Sequence, residues 1–266
     1  MVPRYRTATA FVLVSLIAAC AGPDVDRAPT RPPDVSAVPD AVPRAEPRSA
    51  SGNPPFYEVN GRRYHVMNSS RGYRKRGVAS WYGQKFHGRR TSSGEAYDMY
   101  SMTAAHKTLP LPASARVTNL ANGQSVVVKI NDRGPFVDNR LIDLSYAAAN
   151  RLDMIRAGTA MVEVEVLDPT TPTLPARTAE ATQQTADGSM YIQAGAFRSK
   201  DNAESLARRV RAQASEDTRV FIRRDSVDGD TIYRVRIGPV AGVDQFDRLV
   251  EQMARIGISD AYLALD

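Results

Sequence analysis

Two carboxylates and an imidazole fall within one short stretch of the chain, between Thr91 and Phe136. Glu95 closes Thr91-Ser92-Ser93-Gly94-Glu95, His106 closes Thr103-Ala104-Ala105-His106, and Asp132 sits in Asn131-Asp132-Arg133-Gly134-Pro135-Phe136. Paired carboxyls can break a glycosidic bond, because the leaving oxygen needs a proton and the oxocarbenium-like centre needs an anion nearby. A carboxyl whose pKa is raised toward ambient pH can serve first as acid and then as base. Asp132 is the candidate for that role: Ile130 and Phe136 are apolar neighbours able to desolvate it, although Arg133 turned inward would act the opposite way. Glu95 is then the electrostatic stabiliser or second acid/base, and His106 the orienting hydrogen-bond partner. Each also has a plainer use. Asp132 suits an Asx-turn that satisfies backbone N–H groups, Glu95 an exposed loop acid, and His106 a satisfied core imidazole. His87 reads as structural or as a sugar contact, and Trp81 and Tyr82 as core aromatics or a stacking platform. Three scattered histidines and one cysteine offer no metal site. With no phosphate-binding glycine loop and no serine nucleophile elbow, no cofactor is expected.

The elements that must position these groups are short. Val78 to Gly83 reads as a strand ending in glycine, and Ala115 to Thr118 and Val126 to Ile130 as β-rich runs joined at Asn122-Gly123, a type I′ hairpin candidate. Met161 to Val166 alternates with period two, its valines on one face. Ser145 caps a single helix, Tyr146 to Leu152. Many short strands and one helix between residues 77 and 168 predict a small closed barrel, since closure removes the exposed edges of so small a sheet. Ahead of it, Phe56 to Val66 flanks Asn60-Gly61 and predicts an accessory β-hairpin within residues 56–76.

Residues 20–55 read as a tether: nine prolines among Ala, Asp, Arg and Ser, with almost no large apolar residue, predict an extended spacer. Residues 1–19 have a basic n-region at Arg4 and Arg6 and an apolar run too short to span a membrane stably. That run ends in Leu16-Ile17-Ala18-Ala19-Cys20, which resembles a bacterial lipoprotein signal. The resemblance implies lipidation of Cys20, and the lack of an Asp directly after it implies the periplasmic face of a Gram-negative outer membrane. A lone thiol forms no internal disulfide, so the domains depend on their cores. The formal net charge is +6, with Arg71, Arg74, Lys75, Arg76, Lys85, Arg89 and Arg90 crowding the approach to the barrel. Such an excess suits nucleic acid, an acidic polymer or an anionic lipid surface. No nucleic-acid motif accompanies it, which sets the first aside.

A second linker, 169–188, is rich in Thr, Pro, Ala and Gln and predicts independent motion of the parts it joins. The last domain, 189–266, repeats a strand-to-helix unit. Tyr191 to Gly195 and Tyr233 to Gly238 read as strands, each leading to a helix capped at Asp201 with Glu204 or at Asp244 with Asp247. Ala203, Leu206, Ala207 and Val210 match Phe246, Leu249, Val250 and Met253 at i, i+3, i+4, i+7. With strands at Arg219 to Arg223 and Ala261 to Leu265, this is a ferredoxin-like βαββαβ unit with both helices on one face. Val235 and Ile237 then point at the helices, leaving Arg234, Arg236, Tyr191 and Gln193 on an open face.

Two families are resembled. Gly77 to Gly83, Phe86-His87-Gly88, Thr91 to Glu95, Thr103 to His106, Val117 to Leu120, Asn122-Gly123, Asn131 to Phe136 and Ile142 to Ser145 together resemble the rare lipoprotein A family. That resemblance implies a double-psi β-barrel and a lytic transglycosylase acting on peptidoglycan, with Glu95, His106 and Asp132 matching its active-site positions. Gln193 to Phe197 and Tyr233 to Pro239 resemble the SPOR domain, which implies binding of glycan strands stripped of their stem peptides at division septa. The overall expectation is a mainly β plus α+β chain: an endolytic lyase that leaves 1,6-anhydromuramic ends, with peptide-stripped glycan, the membrane and possible division proteins as partners. The alternative is an expansin-like, non-catalytic glycan binder at the division site.

Overall fold

The computed structural model describes residues 28–29, 31–169, 189–215, 218–227, 229–258 and 261–265. The expected signal peptide, Cys20 and residues 170–188 of the second linker lie outside the described residues. Strands β1 (Phe56–Val59) and β2 (Arg62–His65) form the hairpin expected from Asn60-Gly61, whose φ angles of 52° and 76° are those a type I′ turn requires.

The barrel follows, in chain order: β3 (Arg74–Trp81), β4 (Thr103–His106), β5 (Ala113–Asn119), β6 (Ser125–Asp132), β7 (Arg140–Leu144), α1 (Tyr146–Arg151) and β8 (Ala160–Val166). Its six strands close in the order β3-β7-β4-β6-β5-β8. The β3/β7 and β4/β6 pairs run parallel and the other neighbours antiparallel, in a double-psi β-barrel. Val117, Val126, Val128, Ile130, Val162 and Val164 alternate inward and are fully buried. Each such side chain contributes roughly 1.5–3 kcal/mol, which a domain without disulfides requires. Helix α1 begins as expected: Ser145 Oγ accepts from the Ala148 N–H at 3.2 Å. Its alanines, Ala147 to Ala149, are fully buried, and their size lets the helix backbone approach the barrel closely.

The Asn122-Gly123 reading needs correction. Only Gly123 has positive φ, whereas a type I′ turn needs it at both central residues. Residues 120–124 form a longer connection, closed by Asn119 N–H to Gln124 O and Gly123 N–H to Asn119 O, both at 2.9 Å.

Much of the expected tether is instead a strap laid on the barrel. Val35 is buried, at 3% exposure, and Val38 and Ala41 pack beside it on the barrel core. Ala41 N–H donates to Val127 O at 3.0 Å and Ser49 N–H to Leu111 O at 2.9 Å. The Asn53 amide pairs with Leu111 as a strand neighbour would, accepting from its N–H and donating to its carbonyl, both at 2.8 Å. Proline brings no N–H, so a proline-rich segment can lie on a surface with few backbone donors left unpaired.

The last domain contains β9 (Met190–Phe197), α2 (Lys200–Arg211), β10 (Val220–Val227), β11 (Asp230–Ile237), α3 (Val243–Arg255) and β12 (Tyr262–Leu265). Its antiparallel sheet runs β10-β11-β9-β12, the ferredoxin-like order. Both expected helix stripes are buried against the sheet, with Val235 and Ile237 beneath them. The caps differ from the expectation. Both helices are capped two residues earlier, α2 by Ser199, whose Oγ accepts from Asn202 N–H, and α3 by Gly242. The serine competes well here because its extended backbone brings the hydroxyl over the free N–H groups.

The two domains are docked, contrary to the expected independence. Strand β12 lies against β3, and Val78 and Met161 of the barrel join the apolar cluster of the last domain. Arg140 grips the Asp247 carboxylate with both terminal nitrogens, at 2.9 and 3.0 Å. Nor is the second sheet's other face simply open: Gln193 and Arg236 are 3% and 5% exposed, because Tyr262 covers the first and the barrel faces the second.

Candidate active site

Strand β6 ends at Asp132, and the loop from Thr91 to Glu95 folds across that end. Thr91 N–H donates to Glu95 O at 2.8 Å, Gly94 N–H to Thr91 O at 2.9 Å, and Ser93 N–H to Asn131 O at 3.1 Å, pinning the loop to the strand. Gly94, with φ +99°, supplies a backbone conformation that side chains disfavour. The loop therefore has one end at each acid. Ser92 reaches Asp132 and Glu95 reaches Lys129 and Asn131, so one loop carries Glu95 and holds Asp132 at the barrel rim where β6 ends.

Glu95 is an anion by construction. Lys129 Nζ donates to Oε1 at 2.8 Å and Asn131 Nδ2 to Oε2 at 2.7 Å. Partial burial pushes its pKa up, but these two bonds and the Lys129 charge outweigh it and hold the carboxyl below its ordinary value. Lys129 is itself shared with Glu46 of the strap, at 3.0 Å.

Asp132 is held differently. Its Oδ1 accepts from Ser92 N–H at 2.8 Å, Ser92 Oγ at 2.7 Å and Arg133 N–H at 2.7 Å, the turn-stabilising pattern weighed from the sequence. Among the described residues no donor reaches Oδ2. Arg133 turns inward, yet it is occupied by carbonyls: it donates to Gly52 O at 2.6 and 2.9 Å, His106 O at 3.1 Å and Leu109 O at 2.5 Å. Its guanidinium also lies 5.8 Å from the Tyr57 ring. The strap and hairpin thus both close on the loop carrying Asp132. Burial pushes the Tyr57 phenol up to about 12, so it stays protonated and donates to Lys107 O at 2.7 Å.

His106 is not among the facing groups. It is 3% exposed, with Nε2 at 2.8 Å from Tyr73 Oη, and Nδ1 accepts from the Thr108 and Leu109 N–H groups at 3.1 and 3.0 Å. Because Nδ1 is an acceptor, Nε2 carries the proton and donates to the phenol. Burial above all, then the Arg133, Lys107 and Lys75 charges, lower its pKa to about 3, so it is neutral wherever the protein works. It touches neither carboxylate and acts through its own carbonyl, which anchors Arg133 beside Asp132.

A third carboxyl, Asp143, lies in the stretch Ile142 to Ser145. Across the β6-β4-β7 ladder, Ala105 is the register partner of both Asp132 and Asp143, which therefore flank one small side chain. Ser80 Oγ donates to Asp143 Oδ1. Gly134 passes over the pair: a Cβ there would stand 3.7 Å from both Ala105 Cβ and Asp143 Oδ2. Among the aromatics, Tyr82 is buried and stacked on Tyr97 at 4.0 Å, while Trp81 is half-buried, edge-on to Tyr146. His87 is exposed, its Nδ1 accepting from Met99 N–H.

In the last domain, Arg234 joins Asp225 at 2.7 Å and reaches Gln193 Oε1 at 3.4 Å, while Gln193 Nε2 donates to Tyr262 Oη at 2.5 Å. Tyr191 packs edge-on against Phe221.

Comparison with known proteins agrees with this architecture. A family model described as a lytic transglycolase matches residues 74–164, and one described as a SPOR domain matches 186–264. The endolytic peptidoglycan transglycosylase RlpA of Pseudomonas aeruginosa strain UCBPP-PA14 is 40% identical over 85% of this chain and 80% of its own length. That of Vibrio cholerae is 38% identical over 95% of this chain and 94% of its own. The crystal structure of the RlpA SPOR domain from Pseudomonas aeruginosa matches 28% of this chain and 96% of its own at 27% identity, with a TM-score of 0.27. With the barrel, both family matches and near full-length relatives in agreement, the chain belongs to the rare lipoprotein A family.

Proposed function

We propose that this chain is an endolytic lytic transglycosylase that cleaves the glycan of peptidoglycan at the rim formed by Glu95 and Asp132. One observation carries the reading: a single loop carries Glu95, fastened to a lysine and an amide, and holds Asp132 through one carboxylate oxygen. A lytic transglycosylase uses no attacking water. The muramic C6 hydroxyl closes on the anomeric carbon, so one proton must reach the leaving oxygen and one must leave the hydroxyl. Glu95, held ionised, suits the anion that faces the oxocarbenium-like centre, and Asp132 Oδ2 suits the proton donor that later takes the hydroxyl proton. His106 is a positioning residue, acting through Arg133. The C-terminal domain holds the strand with Gln193, Arg234, Arg236 and Tyr191, favouring peptide-stripped glycan. Lipidation of Cys20, residence at the outer membrane and division-machinery partners belong to the same proposal and rest on the sequence alone.

A binding role without cleavage has one observation in its favour, the three donors that fix Asp132 Oδ1 as they would in a purely structural turn. The test is to incubate lipid-free protein with peptide-stripped glycan and weigh the products. Anhydro-ended sugars are expected, whereas reducing ends would indicate a hydrolase and intact strands a binder. Glu95→Gln and Asp132→Asn should each lower the rate by about 10²–10⁴-fold, the range for losing an acid/base group. Asp143→Asn belongs in the same assay; a drop as large as that of Asp132→Asn would move the proton donor to Asp143.

A further inference from the structure

A cavity of about 910 Å³ lies between the two domains, away from the carboxylates of Glu95 and Asp132. One wall is the start of β3, with Arg74, Lys75 and Arg76, and the other is the sheet face of the last domain, with Gln193, Arg234 and Arg236. Its lining is lopsided, five cations against the carboxylate of Glu163, with Asp225 behind the wall paired to Arg234 at 2.7 Å. The Glu163 carboxylate is already engaged by Arg74 at 2.7 Å and Arg76 at 2.6 Å and is 12% exposed, so it orients both guanidiniums without matching the total charge. The walls are held in place by the Arg140 to Asp247 fork and by Val78 and Met161 in the second core. Tyr262, half exposed, stands at the junction and presents an aromatic ring beside the cations.

A cleft lined by guanidiniums and one aromatic ring fits a polyhydroxylated chain carrying carboxylates, since arginine matches a carboxylate with two parallel hydrogen bonds. Removal of the stem peptide from peptidoglycan produces such a chain. The amide that joined peptide to muramic acid becomes a free lactyl carboxylate, one negative charge per disaccharide, where the substituted strand had none at that position. We propose that Arg74 and Arg76 of the barrel and Arg234 and Arg236 of the last domain form one composite groove that reads these carboxylates. The barrel is then part of the strand-holding site, and selection of peptide-stripped glycan is a selection for charge. This rests on the reading that the last domain holds glycan.

The test uses the full lipid-free chain carrying Asp132→Asn, so that strands are not consumed, and measures binding to two forms of peptide-stripped glycan. One keeps its lactyl carboxylates; in the other they have been converted to methylamides by carbodiimide coupling. The barrel variant is Arg74→Gln with Arg76→Gln and Glu163→Gln, the last included so that no acid is left buried and unpaired. Its melting temperature is compared with the parent's, and Arg74→Lys with Arg76→Lys, which keeps the charges and Glu163, serves as the second variant. The parent should bind the carboxylate form at least about tenfold more tightly than the amide form, as expected for loss of charge-assisted contacts. The glutamine variant should lose that preference while keeping the parent's affinity for the amide form, and the lysine variant should retain most of it. Equal carboxylate preference in parent and glutamine variant would overturn the barrel's part and leave glycan holding intact. A parent that binds neither form would overturn both. Vesicles containing phosphatidylglycerol form a third arm. Binding to them that disappears in the glutamine variant, with no preference between the glycans, would assign the groove to phosphate headgroups and overturn the proposal.

Discussion

Lys129 is the side chain on which the protonation of Glu95 turns. It lies on the outward face of β6, two residues from Asn131, and period-two alternation from Val126 puts both on the face that the Thr91 to Glu95 loop covers. The alternation of β6 carries that signal, whereas the acid itself says nothing of the cation that faces it. A Lys129→Met change removes the charge and one hydrogen bond, so the Glu95 pKa rises toward or past its ordinary value. If ionised Glu95 is required, the acidic limb of the pH-rate profile moves upward by about one pH unit, the scale of a single paired charge; an unmoved limb would exclude that requirement. His106 makes a separate prediction. Its pKa is about 3 in the folded protein and near 6.5 unfolded, so the unfolded state binds the extra proton between those values. Its contribution is fully present above pH 6.5 and is lost as pH falls toward 3, by an amount on the order of 4 kcal/mol. Denaturant unfolding across that range should show the loss, and His106→Asn should flatten the slope. The types of Glu95 and Asp132 are legible because each closes or sits in a distinct motif of the stretch from Thr91 to Phe136, while their separation is not written in the sequence. The third acid, Asp143, is not legible, since it meets Asp132 only through register across Ala105.

At the level of elements, alternation and caps carried most of the fold. The Val162 and Val164 face of β8, Ser145 at α1 and both helix stripes of the last domain stand where their patterns put them. The strap departs from the expected spacer because composition treats scattered prolines as unburied, whereas Val35, Val38 and Ala41 recur every third residue, a period of neither the helix nor the strand pattern. A chain beginning at Pro54 would lose the Asn53 pairing with Leu111, the Gly52 carbonyl that holds Arg133 and the Val35 contact. It should melt several degrees lower, as a loss of about 2–4 kcal/mol implies, and cleave more slowly. A spacer would give no change in either calorimetry or product yield.

For the whole molecule, docking of the two domains depends on few contacts, and the Arg140 to Asp247 fork is the most specific. Arg140→Gln leaves Asp247 without its partner at a partly buried site, a cost of about 1 kcal/mol after allowing for its exposure. The expected consequence is a larger radius of gyration by small-angle scattering and weaker carboxylate preference, because the walls of the shared groove separate. An unchanged radius would mean that the apolar contacts of Val78 and Met161 suffice. This coupling was illegible in the sequence: composition between residues 169 and 188 says only that a connection exists, not that the faces on either side of it are complementary.

The strap also limits how far the enzyme can stand from its anchor. If Cys20 carries lipid, the contour that matters is the stretch from Cys20 to Val35, the first buried side chain among the described residues. At about 3.3–3.6 Å per residue, its fullest extension is roughly 50 Å, less than half of what an unpacked segment reaching Pro55 would permit. Cleavage would then be confined to the layer of wall lying closest to the bilayer, and thickening that gap should silence the protein in the cell while its activity in solution stays the same.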